Sequence, residues 1–126
     1  MTHDINIHHE DNHESASSYL LEEIKNLLVN SNRDFSIGLS GGNTPKLTYS
    51  MMAEKLDDLS KTFLWTIDDR WIEEDNELSN QRMINEYFER TEANILKFEF
   101  TNSSPESDAK KYEDKLKSTI LSLIHI

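Results

Sequence analysis

The sequence predicts an α/β fold, a parallel sheet with flanking helices, and three observations predict it. Two short apolar runs, Phe35–Leu39 and Thr62–Ile67, each pass abruptly into a polar turn that precedes a helical pattern. The elements then alternate as strand, helix, strand, helix, strand, helix, the order that right-handed crossovers turn into a parallel sheet. No repeat, linker or low-complexity segment interrupts the 126 residues, so the chain reads as one domain or part of one.

Taken in order, Ile5-Asn6-Ile7 alternates and reads as a short edge strand. Asp11 with Glu14 three residues on has the form of a capping box. Leu20, Ile24, Leu27 and Leu28 follow at helical spacing, and Ser31 to Asp34 breaks the pattern. Phe35, Ile37 and Leu39 alternate along the first main strand. Thr44 is placed to cap the next helix, with Pro45 at its first position, where the missing N–H costs nothing. Leu47, Met51 and Leu56 carry that helix to about Asp57. Thr62–Ile67 is the second strand, and an acidic loop leads from it to Ser79. Ser79 is the expected cap of a helix bearing Met83, Ile84, Tyr87 and Phe88. Ile95–Phe100 is a third strand, and Ser104-Pro105 opens a last helix with Ala109, Tyr112, Leu116 and Ile120 on one face. The whole is a three-layer, Rossmann-like arrangement.

Composition narrows the function. There is no cysteine, which excludes disulfides and thiolate zinc sites and fits a reducing compartment. The first residues have no basic segment followed by an apolar run, and no stretch is long enough to span a bilayer. The chain therefore reads as soluble and cytoplasmic. A formal charge of −11, with acids spread throughout and no basic stripe, argues against nucleic acid and anionic membranes as partners. It leaves room for a small phosphorylated ligand held in a local positive pocket, although long-range steering would oppose such a ligand.

Two clusters sit where α/β sheets bind ligands, beyond the carboxyl ends of strands. In Ser40-Gly41-Gly42-Asn43-Thr44, paired glycines permit positive φ and a close backbone approach. The following helix contributes unpaired N–H groups and the positive end of its dipole. Ser40, Asn43 and Thr44 add side-chain donors, and Lys46 adds a mobile positive charge. The turn lacks the lysine of a P-loop and the spacing of a dinucleotide fingerprint, so it points to an oxyanion rather than a nucleotide. The alternative is a tight strand-to-helix turn with no ligand. The clustering of all three glycines at 38, 41 and 42, with the Asn-Thr-Pro exit, favours the anion. The second cluster is Asp68-Asp69-Arg70. Arg70 suits a two-pronged contact to carboxylate or phosphate, and Asp68 suits sugar hydroxyls, an imidazole or Arg70 itself. A solvated turn in which Asp69 and Arg70 pair is the simpler alternative.

Ser79-Asn80 suits a helix cap that also offers an amide to substrate, and Arg82 faces either the same cleft or solvent. His3, His8, His9 and His13 show no metal-ligand spacing, so no metal is expected. Trp65 and Trp71 read as packing residues, and no Ser-His-Asp triad can be assembled.

These residues carry a family resemblance. Leu39-Ser40-Gly41-Gly42-Asn43-Thr44-Pro45-Lys46 resembles the substrate loop of 6-phosphogluconolactonases and of the related glucosamine-6-phosphate deaminases. Thr66-Ile67-Asp68-Asp69-Arg70-Trp71 followed by Ser79-Asn80 is similar to the lactonase Asp-Glu-Arg-Trp/Tyr…Ser-Asn block. Arg70 separates it from the Asp-Glu-Tyr of the deaminases, and Asp69 stands where Glu is usual. The likeness extends over nearly the whole chain. It implies hydrolysis of 6-phosphoglucono-δ-lactone to 6-phosphogluconate without a cofactor. Substrate would be held by Ser40, Gly41, Gly42, Asn43, Thr44, Arg70 and Asn80, with Asp68 in a supporting role. The alternatives are a deaminase or isomerase of the same superfamily, and a noncatalytic sugar-phosphate sensor. The family's base is a histidine in a later Gly-x-Gly-x-Asp-Gly-His segment. His125, in Leu121–Ile126, lacks the preceding glycines and does not match it. Residues 1–126 are thus expected to be the N-terminal part of a single, truncated domain that is inactive by itself.

Overall fold

The structure, a computed structural model, describes residues 5, 7–30 and 34–124. Its elements are α1 (His13–Asn30), β1 (Phe35–Leu39), α2 (Lys46–Lys55), β2 (Thr62–Thr66), α3 (Asn80–Phe88), β3 (Asn94–Leu96) and α4 (Pro105–Ile124). The strands form one parallel sheet in the order β1-β2-β3. Phe35 pairs with Thr62 and Leu39 with Thr66, while Phe63 pairs with Asn94 and Trp65 with Leu96. The predicted α/β class, a parallel sheet with flanking helices, is the observed one.

Two successive right-handed crossovers in one direction bring α2 and α3 to the same side of the sheet, where they touch. In β2 the side chains of Thr62, Leu64 and Thr66 are buried and those of Phe63 and Trp65 half-buried. Leu64 enters the core formed by Leu39, Met52, Ile84 and Phe88. α4 runs back from β3 to reach β1. Among the described residues no helix is long and apolar enough to cross a membrane.

Several local expectations are corrected. Ile5 and Ile7 are not in a strand and are 84% and 78% exposed; Asn6 lies outside the described residues. Flanked by histidines and acids, they have no apolar surface to cover. The cap of α1 is Asn12 rather than Asp11: its Oδ1 accepts from Ser15 N at 2.8 Å and Ser15 Oγ at 3.0 Å. Leu21 is the buried leucine of α1, with Ile24 and Leu28 against the core. Leu20 and Leu27 are about half exposed, so the apolar stripe is turned by one position. Of the predicted break at 31–34, residues 31–33 lie outside the described residues and Asp34 is in neither helix nor strand. α2 starts at Lys46, one residue late, because Pro45 rather than Thr44 holds the capping position and no side chain caps the helix.

The second strand ends at Thr66, leaving Ile67 exposed, although Ile67 N still donates to Leu39 O at 3.0 Å. The third strand covers only 94–96 instead of 95–100. Beyond Leu96, side chains replace the ladder. Gln81 Oε1 accepts from Phe98 N at 2.9 Å, and Tyr112 Oη accepts from Thr66 N and donates to Thr66 O, both at 2.9 Å. Burial raises the Tyr112 pKa, which keeps that hydroxyl protonated and able to donate. The cap predicted at Ser79 is present, accepting from Arg82 N at 3.2 Å; the last helix starts at Pro105 as predicted, with Ser104 accepting from Ser107 N at 3.2 Å.

Asp108 ties α4 to the loop after β2. Its buried carboxylate accepts from Thr101 N (2.8 Å), Thr101 Oγ1 (2.7 Å) and Trp71 Nε1 (3.0 Å). These bonds, led by the Thr101 backbone N–H, hold its pKa below the ordinary carboxylate value. A depressed folded-state pKa contributes stability that is complete above the unfolded value, near ~4, and is lost as pH falls through the lowered one. Thermal unfolding across that range should therefore show less acid-induced loss in Asp108→Asn than in the parent. Phe88, fully buried, should cost about 3–5 kcal/mol when replaced by Ala, measured by urea unfolding.

Candidate functional site

The loop after β2 is anchored by Asp69. Its Oδ1 accepts from Arg70 N and Asn80 N at 2.8 Å each, and its Oδ2 from Gln81 N at 3.0 Å. Two of these donors are N–H groups at the start of α3, which have no partner inside the helix. Asp69 thus caps α3 from eleven residues away, and Ser79 Oγ serves a further N–H. The alternative reading, an Asp69–Arg70 side-chain pair, is not observed. Arg70 Nη1 instead donates to Leu78 O at 3.0 Å and Asn80 Oδ1 at 3.5 Å.

Asn80 is the junction between the two predicted clusters. It is 6% exposed, and its Nδ2 donates to Asp68 O at 2.9 Å. Its amide lies against the glycine turn so closely that a Cβ on Gly41 would sit 2.2 Å from Asn80 Oδ1. Gly41 is therefore required by close approach. Gly42 is required by conformation, since its φ of 90° is strained for residues with a side chain. Among the described residues, the N–H groups of Gly42, Asn43 and Thr44 have no hydrogen-bond partner.

Between the turn and α3 lies an open cleft of about 520 Å³, lined by Gly42, Asn43, Lys46, Arg70, Ser79, Asn80 and Arg82, with Glu77, Leu78, Met83 and Glu86. Of the predicted substrate residues it gathers Gly42, Asn43, Arg70 and Asn80, with Gly41 directly beneath Asn80. Besides Gly41, three predicted residues fall outside its lining. Ser40 accepts from Tyr49 Oη through its carbonyl at 2.8 Å and borders an apolar groove beside β1. Thr44 is exposed, and its carbonyl meets His13 Nε2 at 2.8 Å. Asp68 is exposed and borders a separate hollow with Thr66, Trp71 and Tyr112.

Of the three cationic side chains in the lining, Arg82 is committed to Glu86 at 2.9 Å and to Asp75 O at 3.1 Å. Among the described residues Lys46 and Arg70 make no ion pair. The cleft thus offers two cations outside any ion pair, unpaired backbone N–H groups and an amide, a set suited to an oxyanion, with Glu77 as the one lining acid that no ion pair occupies among the described residues. Sequence reasoning missed Glu77, Met83 and Glu86. The i, i+3, i+4, i+7 spacing of Ser79, Arg82, Met83 and Glu86 is the signal that assigns Met83 and Glu86 to one face with Ser79 and Arg82. A hollow of about 330 Å³ at the amino ends of the strands mixes Lys25, Lys55 and Lys61 with Asp57 and Asp58, at the end of a parallel sheet where ligands do not ordinarily bind.

The remaining candidates are structural. Trp65 Nε1 donates to Ser36 Oγ at 2.9 Å, and Trp71 packs on Phe100. His8 stacks on Tyr19 at 3.5 Å between ring centroids. No cluster of three metal-ligating side chains occurs among the described residues. His3 and His125 lie outside them.

A parallel α/β domain with a glycine turn and a helix start converging on an anion-suited cleft defines a class of small-molecule-binding domains. Within it, the chain belongs to the family of glucosamine-6-phosphate isomerases/6-phosphogluconolactonase, whose profile matches residues 8–124. It is 36% identical over 85 residues to a 6-phosphogluconolactonase of Synechocystis sp., an alignment covering 64% of this chain and 35% of that protein. The crystal structure of 6-phosphogluconolactonase from Thermotoga maritima is similar with a TM-score of 0.75 at 24% identity, covering 87% of this chain and 51% of that one. The enzyme from Shewanella baltica gives 0.73 at 22%, covering 85% and 48%. At these identities the structural likeness speaks for the fold. The chain spans about a third of the curated relative and half of the solved structures.

Asp69→Ala should destabilise the protein by about 1–2 kcal/mol, the cost of a lost helix cap, in urea unfolding. Asp69→Asn, which keeps one acceptor oxygen, should cost less. Gly41→Ala should displace Asn80, visible as a changed Asn80 side-chain amide resonance.

Proposed function

We propose that this chain supplies the substrate-binding part of a cytoplasmic enzyme that hydrolyses 6-phospho-D-glucono-1,5-lactone to 6-phosphogluconate, a carboxylic ester hydrolase that uses no cofactor. The observation that carries the proposal is Arg70, held by Leu78 O against Asn80 with no carboxylate partner among the described residues, at the mouth of a cleft whose other wall is the Gly42–Asn43 turn. The 36% identity to a 6-phosphogluconolactonase supports the lactonase over the other activities of the family.

In this reading the phosphate lies against the N–H groups of Gly42, Asn43 and Thr44 and the Arg70 guanidinium, while Asn80 addresses a sugar hydroxyl. Ser40 and Asp68 flank this arrangement and support it from outside the cleft lining. In the reaction a water oxygen adds to the lactone carbonyl carbon and a base takes its proton. The bond from that carbon to the ring oxygen then breaks, and the ring oxygen takes up a proton to become a hydroxyl. In this reading residues 1–126 form part of a single domain, and no cleft-lining residue is assigned the role of the base.

The protein carrying this chain should bind 6-phosphogluconate more tightly than gluconate in calorimetry; equal affinities contradict the phosphate assignment. Arg70→Ala should cost about 1.5–3 kcal/mol of that affinity, the range for a hydrogen bond to a charged group. Activity assays should show lactone hydrolysis above the spontaneous rate and no ammonia from glucosamine 6-phosphate. Ammonia release without lactonase activity reverses the assignment.

A further inference from the structure

The glycine turn is held from one side by Asn80 and from the other by α1. His13, the first residue of α1, places Nε2 2.8 Å from the carbonyl oxygen of Thr44, 31 residues away in sequence. A carbonyl oxygen only accepts, so the ring nitrogen that meets it carries the proton. The acceptor sits at a critical place. Thr44 O is in register to accept from Thr48 N in a helix that begins one residue earlier. The first such backbone bond of α2 runs instead from Tyr49 N to Pro45 O, at 3.0 Å. With the Thr44 carbonyl engaged by His13, α2 begins at Lys46, and the Gly42–Thr44 segment keeps its turn conformation, which sets the direction of its N–H groups. His13 is itself positioned by the start of α1, where Asn12 caps Ser15 N at 2.8 Å, and α1 packs on α2.

We propose that His13 is a positioning residue for the anion-binding turn: its Nε2–H bond to Thr44 O keeps the N–H groups of Gly42, Asn43 and Thr44 presented to the phosphate of the substrate. The proposal rests on the sugar-phosphate reading of the cleft. His13 touches neither the cleft lining nor the substrate and acts only through the backbone.

The test compares His13→Phe, which keeps a ring and loses the donor, with His13→Gln, which restores an N–H donor of similar reach. With 6-phosphogluconate as the probe, His13→Phe should weaken binding about 3–10-fold, as expected for one lost hydrogen bond. His13→Gln should bind within about 2-fold of the parent. In 15N amide spectra without ligand, the Gly42, Asn43 and Thr44 resonances should shift in His13→Phe and return toward parent positions in His13→Gln. Unshifted resonances in His13→Phe, or parent-like binding by it, overturn the proposal. Equal weakening by both substitutions, with both spectra shifted, also overturns it by reducing His13 to packing. If the parent binds no 6-phosphogluconate, the sugar-phosphate reading fails. The spectra then decide separately whether His13 sets the turn, and the presentation to phosphate falls with the reading it rests on.

Discussion

Asp69 accepts three backbone N–H groups at 2.8–3.0 Å, and the geometry of the cleft depends on that convergence. One carboxylate joins the end of β2 to the start of α3, across an intervening acidic loop that makes no strand or helix. With α3 so placed, the Asn80 amide lies on Gly41 and fixes the separation of the two cleft walls. The glycine is therefore a consequence of the helix position, and the helix position a consequence of the carboxylate. The aspartate side chain, shorter than glutamate by one methylene, is long enough here because the loop brings residue 69 directly beneath the helix start.

The electrostatics of the molecule divide by length scale. At long range a charge of −11 repels a phosphorylated ligand, and salt attenuates that repulsion beyond about 8–10 Å. At contact range the cleft presents Lys46, Arg70 and the turn N–H groups, with Glu86 already occupied by Arg82. Capture of an anion then depends on short hydrogen bonds with fixed geometry rather than on attraction from a distance. Two tertiary contacts fix that geometry, Asn80 on one side of the turn and His13 on the other.

The sheet itself is small, and buried polar side chains complete it. β3 has three residues, yet the strand ends nearest the cleft are not left with open backbone groups. Tyr112 takes both the N–H and the carbonyl of Thr66, Gln81 takes Phe98 N, and Asp108 takes Thr101 N. Gln81 and Asp108 are each 1% exposed. No buried side-chain nitrogen or oxygen among the described residues lacks a partner. Such satisfied networks favour one arrangement, since breaking any member leaves a desolvated polar group.

What the sequence by itself determined was the class of fold, the strand Phe35–Leu39, the second strand from Thr62 to within one residue of its predicted end at Ile67, and the location of polar clusters at their carboxyl ends. Those features rest on local physics: alternation of apolar residues, paired glycines after a strand, and serines one residue before a helix. The capping role of Ser79 and the start of the last helix at Ser104-Pro105 were legible for the same reason. What only the tertiary structure decided were the features set by contacts between distant residues. The choice between Asp69 pairing with Arg70 and Asp69 capping α3 depends on where α3 lies. The shortening of β3 depends on Gln81 reaching Phe98 N in place of a ladder partner. The late start of α2 depends on a histidine 31 positions upstream, and the placement of Ser40, Thr44 and Asp68 outside the cleft lining on the direction in which the chain turns. Periodicity and spacing describe each segment against its own axis; the partner that claims a carbonyl or a carboxylate comes from another segment, and folding alone brings the two together.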